Sequence, residues 1–301
     1  MLKSIAAAKK RKRKVKKIMA VRLIPPRPQR LMPDKLLVMD IGMHTGKDTA
    51  FYLEKGFRVV AIEARLDFVR DCTAKFARFI ESGDLAIVPF AIADQRGPVS
   101  FSVFDGHDDW GTIDTKHAER NISRGHQPKV FEVEAITFSD VILAYGIPYY
   151  LKIDIEGMDH VCVHQLLEFS ERPKFISLEA PTDDFAECID VVSHLHVAGY
   201  RRFKLVNQQL HYKHHCPNPP REGRYVETRF DTLMTGPFGE EAEGHWVDAE
   251  ALLVRLRRIV TQISLFGREG RYPSLKAPYN LVRSALGKEP LAWYDIHAAY
   301  G

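Results

Sequence analysis

From Lys35 onward, short apolar runs alternate with amphipathic stretches of ten to fifteen residues, and that alternation constrains the fold more than any other feature. Leu36-Leu-Val-Met-Asp-Ile41, Arg58-Val-Val-Ala-Ile62, Leu85-Ala-Ile-Val88, Tyr149-Tyr-Leu-Lys-Ile153, Phe175-Ile-Ser-Leu178 and Arg202–Val206 read as strands buried on both faces. Helices are expected over residues 46–55, 67–81, 138–145, 159–169 and 184–198, several closed by a glycine such as Gly56, Gly83 or Gly199. Strand–helix alternation of this kind predicts a parallel sheet with right-handed crossovers and helices on both faces. Val99–Phe104 and Val130–Ile136 read as added strands around a polar loop, Asp105-Gly-His-Asp-Asp-Trp-Gly-Thr112, with His107 and Trp110. It reads either as a loop that closes over substrate, Trp110 suiting a cyclic acceptor, or as an ordinary surface excursion. Beyond Asn207 the pattern fades: a Pro/His/Gly-rich loop over 211–224, a last strand at Phe230–Thr235, and an amphipathic helix over 247–262.

Charge divides the chain. Residues 1–33 hold 12 Lys/Arg and no acid, leaving 31 of the 43 basic residues against all 39 acidic ones in the remainder. The net charge of +4 therefore comes from the arm, and the body carries a net charge of about −8. The run over residues 9–17 reads as a solvated tail, with a nucleic-acid tether as the alternative. The expected organisation is a basic arm (1–33), a cofactor-binding domain (34–235) and a C-terminal helical extension (236–301). No apolar run is long enough to span a bilayer, the basic N-terminus lacks a cleavable apolar segment, and the four cysteines form no C-x-x-C pair, so a cytoplasmic, reduced protein without a membrane span is expected.

Candidate chemistry gathers at the carboxyl ends of the strands, where open α/β sheets bind ligands. The turn Asp40-x-Gly42-x-x-x-Gly46 has glycine where the chain must turn tightly, and Glu63, 21 residues beyond Gly42, can take both hydroxyls of a ribose. A dinucleotide site would need glycine at His44 and would be repelled by Asp40; a cationic sulfonium cofactor is favoured by that carboxylate. An NAD-dependent enzyme is thus the weaker alternative. Asp154 and Glu156 follow the fourth core strand and project toward an acceptor, with Lys152 on the same strand face as Asp154, tuning or pairing with them. Asp154 and Glu179 together could hold Mg²⁺, a minority reading. His211, His214, His215 and Cys216 lack the second ligand pair of a zinc site.

Asp40-Ile-Gly-Met-His-Thr-Gly-Lys-Asp-Thr49, Val60-Ala-Ile-Glu-Ala64, Ala91-Ile-Ala-Asp94 and Tyr150-Leu-Lys-Ile-Asp-Ile-Glu-Gly157 together resemble the FkbM-type methyltransferases over about residues 36–206. The resemblance implies a class I, Rossmann-like methyltransferase sandwich with a mostly parallel seven-stranded sheet, binding S-adenosyl-L-methionine. It further implies that Asp40, Gly42 and Gly46 line the methionine half, that His44 and Thr49 are also among the cofactor-binding residues, that Glu63 holds the ribose, and that the acceptor is a hydroxyl on a small molecule or glycan. Asp94 either meets the adenine amino group or is a turn residue before Arg96-Gly97-Pro98. His44 and Thr49 depart from the family's usual Asn and Ser. Neither the oligomeric state nor the roles of the arm and of residues 207–301 follow from it.

Overall fold

The computed structural model describes residues 32–301, so the basic run at 9–17 lies outside the described residues. The main sheet has seven strands in the order β3-β2-β1-β8-β9-β11-β10: β1 (Asp34–Ile41), β2 (Arg58–Ile62), β3 (Leu85–Val88), β8 (Pro148–Ile153), β9 (Phe175–Glu179), β10 (Tyr200–Asn207) and β11 (Tyr294–Tyr300). The pairs β1/β2, β2/β3, β1/β8 and β8/β9 are parallel, whereas β11 runs antiparallel to both its neighbours. The six apolar runs expected as core strands are all present in this mostly parallel sheet. The last is not where the sequence placed it: Phe230–Thr235 lies in turns, and the seventh strand comes from the far C-terminus, within residues read as helical extension.

A second sheet, β4-β7-β5-β6, is built from β4 (Ala91–Ile92), β5 (Gly97–Phe104), β6 (His107–Thr112) and β7 (Pro128–Ile136). The segment read as a polar loop is thus mostly strand β6, paired back on β5 as a hairpin. Strand β6 is the edge of this sheet, a position where charged residues in the sequence discourage pairing with another strand.

Helices cover both faces of the main sheet. On one side lie α5 (Phe138–Tyr145), α6 (Asp159–Leu166), α7 (Phe185–Val197) and α8 (Ala249–Phe266), packed on Met39, Ile41, Leu151, Ile153, Ile176 and Ile296. On the other lie α1 (Lys47–Glu54) and α2 (Leu66–Lys75), together with parts of the long segment that follows β10. The short α3 (Ala77–Ser82) continues α2 after a break at Phe76, where one helix was expected. The remaining helices are α4 (Thr115–Ser123), between β6 and β7, and α9 (Lys276–Ala285).

On the α1 face the apolar pattern is interrupted by one cross-strand row. Asp40 pairs in register with Lys152, Lys152 with Ser177, Ser177 with His297, and His297 with Lys204. All five are buried. Buried polar groups require partners, and those of Asp40 and Lys152 converge on the cavity described next.

Candidate active site

A cavity of about 1210 Å³ opens at the carboxyl ends of β1, β2, β8 and β9. That exceeds the usual size of a single small-ligand pocket, so a cofactor and an acceptor can share it.

The glycine turn forms one wall. Gly42 has φ +89°, and a Cβ there would sit 1.9 Å from the Asp154 carbonyl oxygen, so only glycine lets the β1 and β8 termini meet. Gly46 has φ +72° and faces the Phe76 ring and Cys72, on the side away from the cavity. His44 also has a left-handed backbone (φ +51°), and its ring meets Phe68 edge-on with centroids 4.5 Å apart.

Asp40 is completely buried and does not line the cavity. Thr49 Oγ1 donates to its Oδ2 at 2.6 Å, and Lys152 Nζ lies 3.2 Å from its Oδ1. Lys152 Nζ also donates to the Gly42 carbonyl at 2.8 Å and lies 3.4 Å from Asp154 and 3.9 Å from Asp48. Burial opposes the ammonium charge, but Asp40, Asp154 and Asp48 together raise the Lys152 pKa well above its ordinary value. The lysine stays charged and fastens the glycine turn to β8.

Asp48 was missed by the sequence reading. An acid in the first turn of a helix ordinarily compensates the helix dipole from the surface, yet Asp48 is buried, lines the cavity and accepts from the Thr235 backbone N–H at 3.0 Å. Burial raises its pKa to about 7, against the opposing pull of Lys152.

Glu63 closes β2 with both oxygens anchored: His44 N–H donates to Oε2 and Arg65 N–H to Oε1, each at 2.8 Å. Burial pushes its pKa up while these two bonds pull it down. The carboxylate lines the cavity beside Ala64, Phe68 and Phe90. Asp94, by contrast, sits exposed in the bend after β4 and does not line it. Ala91 and Ile92 take that stretch of wall.

The opposite half is acidic. The Asp154 side chain is half exposed within the cavity. Glu156, at φ +49°, places its Oε2 3.1 Å from His117 Nε2, and its carbonyl accepts from Thr112 Oγ1 at 2.6 Å, tying β6 and α4 to the turn after β8. Asp159 has its pKa raised to about 7 by burial, then by the Asp154 charge. Glu179 and Asp295, register partners on β9 and β11, are pushed well up by burial and by neighbouring carboxylates. Gln208, just past β10, is 2% exposed, lines the cavity, and has no hydrogen-bond partner at either end of its amide. His211 is likewise buried on this wall, its Nδ1 without a partner and its pKa lowered to about 4 by burial. Gln208 carried no sequence signal, and His211 stood out only as part of a histidine cluster weighed for zinc, not as a wall of this cavity. Trp110 lines the cavity, with one of its faces covered by the His107 ring, stacked at 3.7 Å.

Among the described residues no group of three or more His, Cys, Asp or Glu side chains is arranged to hold a metal ion, so the Asp154–Glu179 pair lacks a third ligand and the Mg²⁺ reading finds no support. His211 and His214 stand close, with ring centroids 5.3 Å apart, without completing a zinc set. All four cysteines are free and buried. No described helix is long and apolar enough to cross a membrane.

A sheet of this order with one reversed strand, a glycine turn after β1 and a carboxylate closing β2 defines the class I, Rossmann-like architecture of S-adenosylmethionine-dependent methyltransferases. Residues 40–202 match the model of the Methyltransferase FkbM domain, and the chain belongs to that family. No curated protein matches the chain. Among solved structures it is similar to the methyltransferase FkbM of Methylobacillus flagellatus KT, at 14% identity over 58% of this chain and 40% of that one, with a TM-score of 0.38. This chain thus spans well under half the length of that relative. It is also similar to a SAM-dependent methyltransferase of Archaeoglobus fulgidus, at 11% identity over 95% and 94% of the two chains, TM-score 0.36. A third is a SAM-dependent methyltransferase of Thiobacillus denitrificans in complex with S-adenosyl-L-homocysteine, at 10% identity over 94% and 96%, TM-score 0.33.

Proposed function

We propose that this chain methylates a hydroxyl of a small molecule or glycan, with the acceptor held over Asp154. The observation that carries the reading is the half-exposed Asp154 carboxylate, standing between the glycine turn on one side and Glu179, Asp295 and Gln208 on the other. What supports S-adenosylmethionine as the donor is the fit of the wall: Gly42 leaves room where a Cβ would close the turn, Asp48 supplies negative charge toward a cationic group, and Glu63 presents an anchored carboxylate toward a ribose. His44, with its side chain and left-handed backbone where a dinucleotide would need glycine, disfavours NAD.

When bound, the cofactor supplies a methyl group already activated for in-line displacement. The protein's share is then alignment and proton removal. Asp154 takes the hydroxyl proton at a carboxylate oxygen. Lys152 fixes Asp154 from behind, and Gln208 offers both a donor and an acceptor to a second hydroxyl. Glu156, held against His117, shapes the acceptor side instead of meeting the cofactor.

Calorimetry with S-adenosylmethionine, S-adenosylhomocysteine and NAD, followed by labelled-methyl transfer to a panel of sugars and polyols, tests this reading. The expected result is binding of the first two ligands alone, with transfer that drops about 10²- to 10⁴-fold in Asp154→Asn, the usual worth of a positioned base. Binding of NAD in their place, or transfer unaffected by Asp154→Asn, would sink it.

A further inference from the structure

Helix α9 is packed inside out. Its polar and aromatic side faces the body: the Tyr279 ring stacks on Phe266 with centroids 4.2 Å apart, Asn280 Oδ1 accepts from the Leu291 N–H at 2.9 Å, and Arg283 Nη1 donates to Gln262 Oε1 at 2.6 Å. Its apolar side faces out, with Leu281 72%, Leu286 66%, Val282 57% and the preceding Leu275 47% exposed. A surface helix ordinarily buries its apolar stripe, and a contiguous exposed one marks a contact surface.

The charge around this stripe narrows the partner. Residues 255–288 contain eight Lys/Arg and one acid, Glu269, whereas the body from residue 34 onward carries a net charge of about −8. Arg271, Lys276 and Lys288 lie within four residues of Leu275 or Leu286 in sequence, with Glu289 following Lys288. An apolar stripe bordered by cations on a short helix suits the plane of an anionic lipid surface, where apolar side chains enter the acyl boundary and cations meet headgroups. The same hairpin contributes Ile263, Ser264, Gly267 and Lys276 to the wall of the cavity.

We propose that the α8–α9 hairpin is a peripheral docking surface for anionic phospholipid, with Leu281, Val282 and Leu286 inserted and the cavity carried to the lipid surface. This docking does not depend on which acceptor is methylated.

The test uses the full chain and vesicles of phosphatidylglycerol or phosphatidylcholine, read by flotation. Because the basic arm would itself attract anionic vesicles, the discriminating variant keeps every charge: Leu281→Gln combined with Leu286→Gln. The expected result is partitioning onto phosphatidylglycerol vesicles that weakens at least about tenfold in the double variant at equal ionic strength, since two leucines no longer leave water. Unchanged affinity for S-adenosylhomocysteine in the variant verifies that the fold is intact. Equal partitioning of the two proteins, or none by either, overturns the proposal. So does a wild-type dimer that the double variant dissolves in sedimentation, which would make the surface a contact between copies of this chain.

Discussion

Lys152 and Asp40 face each other across β8 and β1, with Nζ 3.2 Å from Oδ1 and both side chains almost wholly out of water. The lysine touches the glycine turn, the buried Asp40 and the cavity carboxylate Asp154 together. Replacing it by a similarly shaped apolar chain leaves Asp40 and Asp48 buried without their cation. Lys152→Met is therefore expected to lose about 3–5 kcal/mol of stability, the cost of breaking a buried pair from one side. Denaturant unfolding followed by circular dichroism measures it. A loss below about 1 kcal/mol would show that water already reaches the pair.

Asp48 ties that cluster to pH. Its folded pKa of about 7 lies above its ordinary value of 3.8, chiefly because it is buried. For an acid the sign follows directly: the folded state holds the proton longer than the unfolded one, so stability falls as pH rises from about 4 to about 7 and then levels. Ligand binding shows the complementary trend. S-adenosylmethionine carries a positive sulfonium and S-adenosylhomocysteine does not, so the preference for the former is expected to grow on the order of tenfold between pH 6 and pH 8 as Asp48 and Asp159 ionise. Titration calorimetry of both ligands across that range checks it, and Asp48→Asn is expected to flatten the slope.

Two glycines with nearly equal φ separate strain from crowding. Gly42 (φ +89°) would place a Cβ 1.9 Å from the Asp154 carbonyl, whereas Gly83 (φ +81°) has nothing within 4 Å. Gly83→Ala is expected to cost about 1–2 kcal/mol, the left-handed penalty alone, with ligand affinity unchanged. Gly42→Ala must also push β8 away from β1, so it is expected to lower S-adenosylhomocysteine affinity by at least about tenfold and to destabilise by more than Gly83→Ala. Thermal unfolding paired with calorimetry distinguishes them; similar behaviour of the two variants would remove the close approach as the reason for Gly42.

Glu63 gives a third separation, between charge and shape. Glu63→Gln preserves volume but offers one oxygen in place of two, so either the His44 or the Arg65 N–H loses its acceptor, and a ribose loses a charged one. Affinity for S-adenosylhomocysteine is expected to fall about tenfold to a hundredfold, the range for a hydrogen bond to a charged group. Adenosine, which shares the ribose, should weaken in parallel. Methionine, which lacks it, should not.

What the sequence revealed and what it hid follow one physical rule. Strands β1, β2, β8 and β9 were legible because a parallel strand covered on both faces must be a continuous apolar run. The glycine turn and Glu63 were legible because their spacing reflects backbone geometry. Strand β11, Tyr-Asp-Ile-His-Ala-Ala-Tyr, was not: Asp295 lines the cavity and His297 belongs to the buried polar row, so that face carries only Ala299 as an apolar signal. Asp48 and Gln208 were hidden for a related reason. Each is a polar residue in a conventional place, a first helical turn and a strand exit, and only long-range packing buries it. Asp40 and Thr49 were found but not in the expected role, since they support the turn from behind instead of lining the cavity.

The segment after β10 reads as loop, yet its position is fixed by a buried ion pair on the far side of α1. Lys55 Nζ lies 2.8 Å from Glu241 Oε2, and both side chains are fully buried. Glu241 Oε1 also accepts from the backbone N–H groups of Arg221 and Glu222, at 2.8 and 3.0 Å, and Lys55 Nζ donates to the Arg224 carbonyl at 3.2 Å. One carboxylate and one ammonium thus tie two parts of this segment, residues 221–224 and the turn at Glu241, to the end of α1. Lys55→Met is expected to lose about 3–5 kcal/mol by leaving Glu241 charged and alone. Lys55→Met with Glu241→Gln removes the stranded charge while keeping an acceptor for Arg221 and Glu222, and it is expected to recover a large part of that loss. Because Thr235 and His211 ride on the same segment and reach the cavity, the single variant should also lower S-adenosylhomocysteine affinity, with the double variant restoring it. Unfolding curves and calorimetry on the two variants measure both effects. A double variant no more stable than Lys55→Met alone would mean that the pair's hydrogen bonds, and not its charge balance, hold the segment in place.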